Sequence, residues 1–88
     1  GDEQHLVRIS ACEALWKITF ESEPIIPTLI GELTNPHRDL RMRAYLLLIG
    51  MGPKSRIAIP RLKKLLDDER GYVKSVAAKA LAKIEAFE

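Results

Sequence analysis

The residues that could do chemistry in this chain are few and scattered. Its two histidines, His5 and His37, stand 32 positions apart. Neither has a glutamate at metal-ligand spacing or a partner cluster. Cys12 is the single cysteine, so no internal disulfide can form, and no cation sits beside it to stabilise a thiolate. Glu21 and Glu23 have no second carboxylate pair for acid–base work. There is no phosphate-cradling glycine loop and no nucleophile with an obvious base. These residues predict no catalysis, no cofactor and no metal. What remains is contact chemistry, carried by the aromatic Trp16, Phe20 and Tyr45 and by the cations Arg8, Arg41 and Lys74.

The elements that position these side chains repeat every 33 residues. Val7-Arg8 through Ile18 lines up with Leu40-Arg41 through Met51 and with Val73-Lys74 through Ile84. Ala11, Ala44 and Ala77 fall in step, as do Leu15, Leu48 and Leu81. Pro27-Thr28-Leu29 lines up with Pro60-Arg61-Leu62. Self-similarity at this period predicts a stack of supersecondary units that bury their apolar faces on one another. The apolar spacing is helical throughout, and no segment alternates with period two. Val7, Ala11, Ala14, Leu15 and Ile18 are the expected core face of the first long helix, with the matching positions of the other two copies. Shorter helices are expected from about Glu23 to Thr34 and from about Ser55 to Asp67. Ser22 and Ser55 are their expected N-caps, and Gly52 a left-handed C-cap. Pro27 and Pro60 lie early in these helices, where a proline is either harmless or bends the helix.

The fold class is therefore all-α: an αα-superhelix of five helices and two and a half repeats, in one domain spanning 1–88. The second helix of repeat 1 is expected at about 4–20, repeat 2 at about 22–52 and repeat 3 at about 53–87. Gly1 has the look of a cleavage scar, and the chain is expected to be a piece of a longer solenoid.

The run Asp68-Glu69-Arg70-Gly71-Tyr72-Val73-Lys74-Ser75-Val76-Ala77-Ala78-Lys79-Ala80-Leu81 resembles the second half of a HEAT repeat, in the short bacterial form related to phycobilisome-lyase HEAT-like repeats. Asn35-Pro36 with Leu40-Arg41 and Ala44, and Asp2 with Val7-Arg8 and Ala11, fit the same pattern. Tetratricopeptide and ankyrin repeats place proline or a Thr-Pro-Leu-His turn elsewhere. The resemblance implies a non-catalytic protein-binding scaffold. By analogy it also admits an accessory role in a lyase-type, chromophore-handling protein, or nucleic-acid binding through the basic middle repeat. No His-Glu pair matches the iron-binding hydroxylases of this kind.

At 100° per residue, the side of the long helices opposite the expected core carries Ile9, Trp16 and Phe20, then Met42, Tyr45, Leu46 and Ile49. The family pattern favours small residues there, so Trp16 and Tyr45 depart from it. These seven form the candidate partner-binding surface, suited to a partner helix or an extended peptide in a groove, or to self-association. The competing account is local packing between neighbouring helices. Arg8, Arg41 and Lys74 form a candidate basic row, read either as ties to Asp2, Asn35 and Asp68 or as a grip on acidic groups. Net charge is only +2, against the strong basic excess of a dedicated nucleic-acid binder. The positive charge gathers in residues 36–66, where eight bases meet one acid. No apolar run is long enough to span a bilayer, and the cytoplasm is the default compartment.

Overall fold

The computed structural model describes residues 2–87, and all regular structure among them is helical. The order is α1 (Asp2–Thr19), α2 (Ile26–Glu32), α3 (Arg38–Gly50), a 3-10 segment (Gly52–Ala58), α4 (Ile59–Leu65) and α5 (Gly71–Glu85). α2 pairs with α3, and the 3-10 segment with α4 pairs with α5. α1, α3 and α5 lie side by side as one layer, with α2 and the 3-10–α4 arm as the other. The result is a slab of 37 × 35 × 16 Å, as expected for two helix layers.

Local chemistry explains the boundaries. Pro27 and Pro60 each fall in the first turn of an α-helix, where the missing N–H has no acceptor to lose. The ring cannot continue an α-helix from upstream, so the chain before it winds differently. Residues 23–25 form a turn in which the Ser22 carbonyl accepts from the Ile25 and Ile26 amides, and Gly52–Ala58 takes the tighter 3-10 form. The shorter helices therefore begin later than their apolar spacing suggests. Ser22 and Ser55 do not cap them. Ser22 Oγ donates to the Lys54 carbonyl at 2.7 Å, tying one repeat to the next, and Ser55 Oγ donates to the Gly52 carbonyl at 2.6 Å. Gly52 does adopt the left-handed conformation, with φ at +61°.

The core follows the expected faces in two of the three copies. Leu40, Ala44, Leu48 and Met51 of α3 are buried, as are Val73, Ala77, Ala80, Leu81 and Ile84 of α5. The first copy is reversed. Val7, Leu15 and Ile18 are 67%, 48% and 78% exposed, and Ala11 and Ala14 are exposed with them. α1 instead buries Ile9 and Cys12 against α2 and α3. The reason is geometric: α2 and α4 cover the equivalent faces of α3 and α5, whereas no described helix covers this side of α1.

Candidate interaction surface

α1, α3 and α5 lie side by side, and a groove runs between each neighbouring pair. The first groove, between α1 and α3, has a volume of about 420 Å³ and is lined by Glu13, Trp16, Lys17, Arg43, Leu46 and Leu47. Its floor is apolar: Trp16 and Leu47 are half-buried, and Leu46 is 59% exposed. Arg43 Nη2 donates to Glu13 Oε1 at 2.9 Å across the groove, joining residues 30 apart in sequence. An exposed pair of this kind adds little stability, at most about 1 kcal/mol, but it fixes the orientation of two long side chains beside the apolar floor.

Trp16 is held from the end of α1. Phe20 packs edge-on against it, with ring centroids 5.6 Å apart, and the Lys54 ammonium lies 5.8 Å from the indole centroid. Lys54 Nζ also donates to the Phe20 carbonyl at 2.6 Å. Phe20 has φ of +54°, a left-handed conformation that costs a bulky L-residue about 1–2 kcal/mol. It keeps that conformation while more than half exposed, with its ring against Trp16 and its carbonyl bonded to Lys54. Phe20 lines a further depression, of about 680 Å³, with Glu21, Ser22, Glu23, Pro24, Lys54 and Ile57.

The second groove, between α3 and α5, has a volume of about 220 Å³ and is lined by Arg38, Arg41, Met42, Tyr45, Tyr72, Ser75, Val76 and Lys79. Arg41 stacks over the Tyr72 ring at 4.7 Å, and Arg70 lies 5.8 Å from the same ring. This groove is cationic, where the first is apolar.

The structure divides the seven candidate contact residues. Phe20 and Leu46 are exposed, and Trp16, Met42 and Ile49 are half-buried. Ile9 is fully buried and Tyr45 is 7% exposed, so both belong to the core rather than to an open surface. Both helices have neighbours on two sides, which makes their buried arc wider than a single helical face. Spacing alone missed Leu47, Glu13, Lys17 and Arg43 as groove residues. Leu47 had the phase of a core residue, and the Glu13–Arg43 pair has no signature at the repeat period.

The basic row is not a free row. Arg8 reaches Glu32, at 3.7 Å, and His5 Nδ1, at 3.2 Å. Glu32 is a buried carboxylate, which His5 Nδ1 also meets at 2.7 Å and to which Asn35 Nδ2 donates at 3.3 Å. Arg41 Nη1 donates to the Asn35 and Pro36 carbonyls at 3.0 and 3.2 Å. Arg8 thus ties α1 to the end of α2, Arg41 ties α3 to the turn before it, and Lys74 is exposed. Asn35 and Asp68 play one role in successive units. Each side-chain oxygen accepts the backbone N–H two residues on, from His37 and Arg70 respectively, at 2.8 Å. These turns start α3 and α5.

Cys12 is buried, and burial pushes its thiol pKa up, reinforced by the Glu32 and Glu13 charges. It packs within the core cluster. Among the described residues no group of three or more His, Cys, Asp or Glu is placed to hold a metal, and no helix is long and apolar enough to cross a membrane.

Comparison with known proteins agrees with the tandem helix pairs. No curated protein and no solved structure matches the chain. Residues 1–84 match the family described as HEAT repeats, whose members generally mediate protein–protein interaction and are typically non-catalytic. With nearly the whole chain inside that match and its helices packed as consecutive repeat pairs, the chain belongs to the HEAT repeat family.

Proposed function

We propose that this chain is a non-catalytic interaction module that holds an amphipathic helix or extended peptide of another protein in the groove between α1 and α3. The observation that carries this reading is the Trp16–Leu46–Leu47 floor, an apolar strip in a groove edged by Glu13, Lys17 and Arg43. Aromatic anchors on such strips commonly dominate binding energy. The strained, outward Phe20 extends the strip toward Lys54. Beyond the Glu13–Arg43 pair, Lys17 and Lys54 border it, so the favoured ligand has acidic residues beside its apolar stripe.

The test is selection from a displayed peptide library, followed by NMR mapping of the selected peptides. Binding that perturbs the Trp16 indole and Leu46 methyls, and weakens at least tenfold in Leu46→Glu, is the expected result. Peptides that map elsewhere, or the absence of any selected peptide, would sink the reading.

The cationic groove between α3 and α5 favours a second reading, contact with phosphates of nucleic acid. Arg41 is already engaged by two carbonyls and the Tyr72 ring, which weakens that reading. A DNA titration at low salt separates the two. Affinity that falls steeply as salt rises supports phosphate contact, and no shift removes it.

A further inference from the structure

Arg8 and Arg41 occupy the same position in successive units, yet among the described residues only Arg8 meets a carboxylate. Its partner is the buried Glu32 at the end of α2. The equivalent position at the end of α4 is Leu65, which cannot pair with Arg41. Asn35 likewise stands in the middle unit where Asp68 stands in the last. Arg41 is held instead by two neutral carbonyls and the Tyr72 ring, which fix its position and leave its charge uncompensated. A half-buried guanidinium without a counter-ion carries a desolvation cost that an incoming anion offsets.

Arg41 shares the α3–α5 groove with Arg38 and Lys79, both exposed, and no acidic side chain lines that groove. None of these three cations pairs with a carboxylate among the described residues. Arg70, near the same Tyr72 ring, is matched by Asp68 and adds no net charge. In the α1–α3 groove, by contrast, Arg43 is matched by Glu13. Both walls of the cationic groove pack on the shorter helices of their own units, so it is formed whole within the described residues.

We propose that the α3–α5 groove binds an acidic segment of a partner protein, with one glutamate carboxylate set among Arg38, Arg41 and Lys79. Met42, Tyr45 and Val76 supply apolar surface for the glutamate methylenes. The groove, at about 220 Å³, is smaller than the roughly 300–1,000 Å³ of small-molecule pockets, and it holds one or two side chains. Arg41 makes both carbonyl bonds through Nη1, so Nη2 and Nε keep N–H groups for a carboxylate. A phosphate backbone would need a longer row of cations than this single site offers, and the chain's net charge is only +2. The site lies across α3 from the Trp16 groove and functions whether or not that groove is filled.

Titration of the isotope-labelled chain with a synthetic hexaglutamate peptide, followed by NMR, tests this. The Tyr72, Ser75 and Lys79 amides should shift at low salt, and the affinity should fall as salt is added. Arg38→Glu combined with Lys79→Glu, at two exposed positions, should weaken binding at least tenfold with the far-UV circular dichroism unchanged. Lys63→Glu combined with Lys64→Glu changes the net charge equally at exposed positions of α4, and should alter the affinity less than twofold. No shift at low salt, shifts that map elsewhere, or equal losses in the two double variants would each overturn the proposal. So would an oligothymidylate of the same charge that binds these residues more tightly than the peptide, since the occupant would then be a nucleic acid.

Discussion

Ile9 and Val7 stand two residues apart on α1, with similar aliphatic side chains and opposite fates: Ile9 is fully buried and Val7 is largely exposed. Ile9→Ala should cost about 2–5 kcal/mol of unfolding free energy, through lost transfer energy and the cavity left behind. Val7→Ala should change stability by no more than about 0.5 kcal/mol in dilute solution. Chemical denaturation of the two variants checks the pair, and equal losses would show that the outer face is buried after all. Asp68 offers a second test. The Arg70 guanidinium and backbone N–H both donate to its carboxylate and lower its pKa to about 2. Because the folded pKa is depressed, the stabilisation is fully present above the unfolded carboxylate value near 4. It is lost as pH falls through about 2. An NMR titration of the Asp68 carboxyl should show that low midpoint, and Arg70→Ala should raise it.

At the scale of the element, the junctions carry the information. Gly52 closes α3 at φ of +61°, and a Cβ built there would meet no atom within 4 Å. Gly52→Ala therefore costs only the left-handed backbone strain, about 1–2 kcal/mol, with no clash added. A calorimetric melt should show that loss, and an unchanged Tm would mean that the turn relaxes to another conformation. Phe20 occupies the corresponding exit from α1 and accepts comparable strain without being glycine. The prolines show the opposite economy: placed in a first turn, Pro27 and Pro60 set where α2 and α4 start and break no intrahelical bond.

For the molecule as a whole, stability is uneven because the stack is nearly one-dimensional. α3 sits in the middle and packs against α1, α2, the 3-10 segment and α5. α1 packs on α2 and α3 alone among the described helices, through Ile9, Cys12 and half-buried Trp16, with ion pairs from Arg8 to Glu32 and from Glu13 to Arg43. Native-state hydrogen exchange should accordingly show the slowest amides in α3 and the fastest helical amides in α1, in dilute solution. Uniform protection across all five helices would mean that the chain opens only as a single unit.

The 33-residue period, the helical phase of the apolar residues and the proline and glycine positions were enough to specify five helices in tandem units. Those signals are local, and they repeat, so each copy supports the reading of the others. The spacing also identified Trp16, Phe20 and Leu46 as residues off the repeat's core phase. It could not say which side of α1 is buried, because helical periodicity marks an apolar face without showing whether a neighbour covers it. It likewise placed Ile9 and Tyr45 on an open surface, although helices with neighbours on two sides bury both. Only the packed structure decided those points, since burial depends on which helices lie alongside and not on the sequence of any one of them.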